Sequence, residues 1–384
     1  MQCDYFDAGT CRSCTLMGVP YGRQVDDKLA EATALLAPFV SGPDAPSPAQ
    51  VWLDPVVSAP RGFRNKAKMV VGGTSETPTL GILDRARRGV DLRRCGLIDP
   101  RISAALDPVA QLVTDAGIEP YDVPARRGEL KNVLITVAAT GELMVRFVLR
   151  STSRLAALRS RLPWLLATVP TITVVSANIL PDHKAVLEGE HEIPLTPGER
   201  LEMALAGVTL SLPAKSFFQT NTEIAAAMYE QAATWCRELQ PASAWDLYCG
   251  VGGFALACAA AATRVTGVEV SPEAVAAARE SAIHAGVEAR FVAADAATWV
   301  QRQPSTPELV IVNPPRRGLG TPTAEWLENS AIPHVFYSSC NATSLEKDLR
   351  AMPSLRIRAA RLFDMFPQST HYEVMVALTR ESPS

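Results

Sequence analysis

Apolar positions in the first half of the chain fall into mixed periods. Residues 25–36, 102–116 and 154–166 repeat at helical spacing, whereas 66–71, 133–137, 143–149 and 172–179 alternate or run apolar as strands do. No strict strand–helix order relates them, so this region reads as α+β. After Ser216 the pattern turns regular. Strands are predicted at 244–248, 265–270, 290–293, 309–312, 335–338 and 357–363, separated by helical patterns at 254–262, 273–285, 323–329 and 344–351 and closed by 371–379. Alternating β and α predicts a parallel, doubly wound sheet that takes its ligands at the carboxyl ends of the strands. The expected fold class is therefore α/β, with a C-terminal Rossmann-like domain over 216–384, a central α+β insert over 51–215 and a small N-terminal cysteine segment over 1–50. A Pro/Ser/Ala stretch, SGPDAPSPAQ at 41–50, reads as the first linker. No internal repeat is visible.

With 384 residues and 47% hydrophobic content, the chain is long enough to bury a large core, and it is neither collagen-like nor disordered. Its longest apolar runs fall well short of the roughly 18–20 residues of a membrane span. The start MQCDYFDAG has no basic segment followed by an apolar one, so the expectation is a cytoplasmic protein whose eight cysteines are not a disulfide framework. Net charge is −3, which by itself points to no polyanionic partner. Two local runs change that picture. Residues 61–94 carry nine Lys/Arg against three acids, and 126–161 carry eight against two, each a local net of +6. Two such runs in the insert predict a phosphate-backbone footprint, and hence an RNA partner.

Candidate chemistry clusters at predicted strand ends. WDLYCGVGGF at 245–254 runs from a strand through Gly250, Gly252 and Gly253 into a helix, a turn that lets backbone N–H groups approach a nucleotide. The next strand ends in Glu269, able to accept both hydroxyls of a ribose, and the third ends in Asp295, within reach of an adenine amino group. This acid–acid order behind a glycine turn is the arrangement of S-adenosylmethionine methyltransferases. The fourth strand ends in Asn313-Pro314-Pro315, but Arg316 follows where amine methyltransferases carry a stacking aromatic. The fifth ends at Cys340, a candidate nucleophile, and Glu373 opens the last strand as a candidate base, with His371 competing for that role. Cys236, Cys249 and Cys258 read as packing residues. Cys3, Cys11 and Cys14, with Cys95 far downstream, form a four-thiol set that suits either zinc or an iron–sulfur cluster, and zinc is the default from chemistry alone.

Taken in order, SFFQTN (216–221), DLYCGVGGF (246–254), GVE (267–269), NPPRRG (313–318), SSCN (338–341) and MFP…HYE (365–373) resemble the motifs of the RNA uracil-C5 methyltransferases. MQCDYFDAGTCRSC, FRNKAKMVV (63–71) and Cys95 are similar to the branch of that family that methylates 23S rRNA at uridine 747. The resemblance spans the whole chain. It implies that Cys340 is the nucleophile and Glu373 the general base, and that Gln219, Tyr248, Glu269 and Asn313 contact S-adenosylmethionine or the target base. It also implies a [4Fe–4S] cluster on Cys3, Cys11, Cys14 and Cys95 in place of zinc. Two positions depart from the wider family, which often has Asp where Asn313 stands and His where Gln368 stands. The implied partner is a 23S rRNA hairpin loop or pre-ribosomal large-subunit RNA, bound by a monomer. Competing readings are the same chemistry on another rRNA or tRNA uridine, and an RNA-binding assembly factor with a vestigial fold, against which the intact Cys340, Glu373, Glu269 and glycine turn argue.

Overall fold

Helix ends in this chain follow capping chemistry. The computed structural model describes residues 1–40, 48–184, 186–259, 261–262 and 264–381, so most of the expected linker, 41–47, lies outside the described residues. Helices α1 (Asp4–Asp7), α2 (Tyr21–Leu36) and α3 (Pro48–Val51) precede β1 (Trp52–Val56). Next come β2 (Lys66–Gly73), β3 (Pro78–Leu83), β4 (Gly89–Asp91), α4 (Pro100–Asp115), β5 (Leu130–Val137), β6 (Leu143–Leu149), α5 (Leu155–Thr168), β7 (Ile172–Ile179) and β8 (His191–Pro194). A ribbon of β9 (Arg200–Leu205) and β10 (Val208–Pro213) leads to α6 (Thr222–Leu239). The remainder is β11 (Ala244–Leu247), α7 (Gly253–Cys258), β12 (Val265–Glu269), α8 (Pro272–Ala285), β13 (Ala289–Ala293), α9 (Ala296–Val300), β14 (Leu309–Val312), α10 (Thr321–Asn329), β15 (His334–Ser339), α11 (Ala342–Arg350), β16 (Leu355–Phe363) and β17 (Glu373–Arg380). Asp99 caps α4 and Pro100 is its first residue; Ser271 and Pro272 do the same for α8, which ends on Gly286 at φ 63°. Such starts satisfy otherwise orphaned N–H groups, and the left-handed Gly286 stops the helix without a Cβ clash.

The chain divides into two compact units. One contains residues 1–14, 60–203 and 212–215. Its seven-stranded sheet runs β4-β3-β2-β5-β6-β7-β8 and packs one face against α4 and α5 around Val109, Val133, Phe147 and Leu162. Central β6 is buried along all seven residues, as expected of a strand covered on both faces. Arg146 lies in the middle of it, only 2% exposed, and is paired with Glu188 at 2.6 Å and Glu192 at 2.7 Å.

The other unit contains residues 15–59, 204–211 and 216–384. Its eight-stranded sheet runs β1-β16-β17-β15-β14-β11-β12-β13, and every pairing is parallel except those of β17. The strand order reverses at β11, whose Leu247 sits beside Val268 on one flank and Val312 on the other. Loops leaving β11, β12, β14 and β15 therefore gather at one sheet edge. The expected α/β class is what the structure has. Several features differ from the sequence reading: α6, α9 and strands β3, β4 and β8–β10 escaped it, α2 packs with the C-terminal sheet, and β1 adds a parallel edge strand to β16.

Candidate active site

Backbone conformation shapes the glycine turn. Tyr248, Gly250 and Gly252 have φ of 68°, 53° and 90°, so the chain reverses between β11 and α7 through the left-handed region. At Gly253 a Cβ would lie 2.3 Å from the Tyr229 ring, so only glycine lets α7 start this close to α6. Asp246, wholly buried in β11, accepts a hydrogen bond from the Ala255 N–H at 2.9 Å, while its other oxygen has no partner among the described residues. Burial pushes its carboxyl up to about 8. Glu269 accepts from Gly250 N–H at 3.2 Å and Ser271 N–H at 2.9 Å, which anchors the carboxylate and leaves lone pairs over for a diol.

A cavity of about 520 Å³ opens beside this turn. Gln219, Tyr248, Gly250, Glu269, Asn313, Cys340 and Glu373 all line it, so seven of the eight residues expected to act on cofactor or base meet in one place. Asp295 does not line it. Its carboxylate is exposed and accepts from the Thr298 hydroxyl (2.8 Å) and N–H (2.9 Å), which makes it the cap of α9 and holds it below the usual carboxylate range.

Cys340 follows β15, and Glu373 opens the antiparallel β17, whose Val374 pairs with Ser339; the register thus brings thiol and carboxyl to the same rung. Glu373 is 2% exposed and one of its oxygens has no hydrogen-bond partner among the described residues. Burial pushes its pKa up to about 8. Burial and then the neighbouring Glu373 raise the Cys340 thiol, while the Arg316 guanidinium works in the opposite direction. His371 is exposed and outside the cavity lining, and burial, Arg316 and Lys28 hold it below the ordinary histidine value. The geometry therefore favours Glu373 over His371 as the group facing Cys340.

Asp348 fixes the loop after Asn313. It accepts from Tyr337 Oη at 2.6 Å and Leu319 N–H at 2.8 Å, and a Cβ on Gly318 would come within 2.5 Å of it. Asn341, the cap of α11, donates to the Arg316 carbonyl at 3.3 Å and ties this loop to the one carrying Cys340. Sequence reasoning missed Asp246, Tyr229, Arg316 as a lining residue, and the exposed rim residues Phe217 and Val270. An acid inside the apolar run WDLY was the available signal for Asp246. Phe217, 73% exposed, offers a flat apolar face of the kind a planar ring covers.

The four N-terminal-set cysteines, Cys3, Cys11, Cys14 and Cys95, line one smaller cavity of about 130 Å³, together with Arg64 and Lys68. Burial and then the other three thiols raise Cys14 to about 11. Among the described residues, no three His, Cys, Asp or Glu side chains are gathered tightly enough to hold a single metal ion. The basic runs are less of a surface than their sums imply. Arg146 is an internal ion pair, Lys131 donates to the Asp182 carbonyl at 2.6 Å, Arg150 binds Glu129, and burial lowers half-buried Lys66 to about 8. Arg61, Lys68, Arg85, Arg87, Arg126, Arg127, Arg154, Arg159 and Arg161 remain exposed, as do Arg88 and Arg94, which pair with Asp84 and Asp107.

Comparison with known proteins adds independent findings. A family described as "Methyltransferase domain" matches residues 244–314, and one described as "tRNA (Uracil-5-)-methyltransferase" matches 303–381. The chain is 46% identical to the 23S rRNA (uracil(747)-C(5))-methyltransferase RlmC of Serratia proteamaculans, over 99% of this chain and 100% of that one. It is 43% identical to the RlmC of Escherichia coli O127:H6, again over 99% and 100%. Among solved structures, the Pyrococcus abyssi tRNA (uracil-54, C5)-methyltransferase in complex with S-adenosyl-L-homocysteine superposes with a TM-score of 0.77, covering 95% of this chain and 85% of that one. At 22% identity, that likeness speaks for the fold.

Proposed function

The chain belongs to the RlmC family of 23S rRNA (uracil-C5)-methyltransferases, and from that premise we propose how its own residues perform the reaction. It is an S-adenosylmethionine-dependent enzyme that methylates carbon 5 of a uridine in 23S rRNA. The observation that carries the residue assignment is the buried carboxyl of Glu373, one oxygen of which has no hydrogen-bond partner among the described residues, beside Cys340 in the cavity that also holds the glycine turn.

Carbon 5 of uracil is too weak a nucleophile to attack a methyl group unaided. The Cys340 thiolate adds to carbon 6, forming an S–C bond and moving the π electrons onto the carbon 4 oxygen as an enolate, which makes carbon 5 nucleophilic. Bound S-adenosylmethionine supplies the methyl group as a sulfonium. Glu373 then takes the carbon 5 proton, the 5,6 double bond re-forms, and the Cys340 sulfur leaves with its electron pair. Arg316 favours the thiolate on the outward and return steps. Gln219, Tyr248, Gly250, Glu269 and Asn313 orient cofactor and base. Asp295, engaged in capping α9, reaches an adenine only with a spare lone pair.

The assignment of substrate is tested by methylating deproteinised RNA that lacks the modification. We expect 5-methyluridine at one 23S uridine of the 747 type. Methylation confined to tRNA, or to another nucleoside, would overturn it, and no methylation of any RNA would favour the assembly-factor reading.

Cys3, Cys11, Cys14 and Cys95 are the residues that would hold a [4Fe–4S] cluster. Four thiols around one cavity of about 130 Å³ are a donor set that suits a cubane cluster. Such a cluster would supply a structural tie between the N-terminal segment and the strand–loop carrying Arg64, Lys68 and Cys95. Protein purified without oxygen should be brown and contain about four irons per chain, and Cys95→Ser should lose them. Stoichiometric zinc without iron would contradict this.

Exposed cations of the insert should hold phosphate. Lys68→Ala is expected to weaken RNA binding and flatten its logarithmic salt dependence by roughly 0.7–0.9 per contact, with cofactor affinity unchanged. Arg146→Ala should instead destabilise the fold by about 3–5 kcal/mol by stranding Glu188 and Glu192. Unchanged RNA affinity and slope for Lys68→Ala would move the footprint elsewhere.

A further inference from the structure

Helix α2 breaks the usual pattern of an amphipathic helix. Its buried face carries Val25, Ala32 and Leu36, and also Gln24 at 1% exposure and Lys28 at 2%. Both polar side chains bond to one segment, residues 364–372, which leaves β16 after Phe363 and enters β17 at Glu373; the Gln24 amide also donates to the Val19 carbonyl at 2.9 Å and the Leu16 carbonyl at 3.3 Å, which fixes its orientation. Phe363 and Glu373 pair with each other, so this nine-residue loop starts and ends on a single rung of the sheet.

Lys28 Nζ donates to Asp364 Oδ1 at 2.6 Å and to the Phe366 carbonyl at 3.3 Å. The Tyr21 hydroxyl, two turns earlier, lies against the same Asp364 carboxylate. Gln24 and Gln368 bond reciprocally. The Gln24 amide donates to Gln368 Oε1 at 3.2 Å and its oxygen accepts the Gln368 N–H at 3.0 Å. The Gln368 carbonyl in turn accepts from Leu16 N–H at 3.1 Å. Gln368 has φ 68°, a left-handed conformation that costs a non-glycine residue roughly 1–2 kcal/mol and persists only where its surroundings impose it. Two hydrogen bonds with Gln24 of α2 and one from Leu16, just before that helix, impose it here.

We propose that Gln24 and Lys28 are positioning residues for the base, clamping the 364–372 loop so that the Glu373 carboxyl faces the Cys340 thiol. An apolar pair would bury the same area without the desolvation cost of an ion pair, so stability alone does not account for Lys28 and Asp364. Directional bonds at 364, 366 and 368 do account for them, because they set the path of a loop whose exit residue must lie within hydrogen-bond reach of a proton on carbon 5. The proposal rests on Glu373 being the base.

The test separates methyl transfer from release, using radiolabelled cofactor, a 23S rRNA fragment and a denaturing gel that retains covalent enzyme–RNA adducts. In Gln24→Met and Lys28→Met, methyl transfer should stay near the wild-type rate while release of methylated RNA slows by roughly tenfold to a hundredfold, so that methylated adduct accumulates. Lys28→Arg should restore release. A folded Gln24→Met protein that releases product at the wild-type rate would overturn the proposal, as would a proportional fall in both steps that tracks the loss of folded protein. Lys28→Met leaves Asp364 buried without its cation and is the variant more prone to unfold, so Gln24→Met decides the matter. If Glu373→Gln itself shows no stall, the assignment of the base fails; if it stalls and Gln24→Met does not, the clamp alone fails.

Discussion

Replacing Cys340 with alanine is expected to reduce methylation of 23S rRNA by roughly 10⁴-fold or more, the scale seen when a covalent nucleophile is removed, with S-adenosylmethionine affinity unchanged. The two parts of this expectation come from different parts of the cavity. Gly250 and the left-handed turn at Tyr248 follow β11 and Glu269 ends β12, whereas the thiol follows β15, with Asn341 as the next residue and cap. Truncating a half-buried side chain there leaves the glycine turn and its hydrogen bonds intact. Without sulfur adding to carbon 6, however, no enolate forms and carbon 5 has nothing with which to attack. Isothermal titration with S-adenosylhomocysteine and a methyl-transfer assay read the two quantities separately. Retained turnover would remove Cys340 from the reaction. Lost cofactor binding would mean that Cys340 shapes the cavity instead.

Glu373→Gln should produce a different failure. Addition and methyl transfer do not need a base at carbon 5, so both should proceed; elimination does, so methylated RNA should remain attached to the protein. Because burial raises Glu373 to about 8, the carboxylate fraction, and with it the rate of release in the wild type, should climb as pH rises toward 8. The variant should show no such climb. Stability supplies a control with the opposite sign. Between its ordinary value of 4.5 and about 8, the folded protein keeps a proton on Glu373 that the unfolded chain has lost, so the native state is progressively destabilised as pH rises through that window. Glutamine does not titrate, so Glu373→Gln should gain in Tm relative to the wild type between pH 5 and pH 8. A variant that stalls while melting higher cannot owe its stall to misfolding. Release at the wild-type rate would bring His371 forward.

Much of this site was legible because its residues sit where simple rules place ligands. Strands predicted by apolar runs end at Glu269, Asn313 and Cys340, and a doubly wound sheet brings those ends to one edge whatever the loop details. Asp295 was read by the same rule; it lies outside the cavity lining, and its Oδ1 caps α9, a role that the strand-end rule does not anticipate. Helix α6 carries a legible signal in its Asn221 cap and buried Ile224, Met228, Ala232 and Trp235. Other features had no local signal. The parallel pairing of Trp52 with Ala360 joins residues some three hundred positions apart, and WLDPV has neither alternation nor length. Arg146 looked like one more surface cation because its partners, Glu188 and Glu192, lie in another segment of the chain. Gln24 and Lys28 carry no local signal of their role for the same reason: Gln368 and Asp364 lie more than three hundred residues away.

The central claim is that Cys340 becomes covalently bonded to the uracil that is methylated. It is tested most directly by incubating the wild-type protein with S-adenosylmethionine and a 23S rRNA fragment containing 5-fluorouridine, then digesting both and identifying the cross-linked peptide by mass spectrometry. Fluorine cannot leave carbon 5 as a cation, so the base has no proton to remove and the adduct persists. The account predicts one peptide, containing Cys340 and carrying a nucleotide that bears both the fluorine and one added methyl group. A nucleotide attached to any other residue, or methylated RNA released with no adduct, would contradict it.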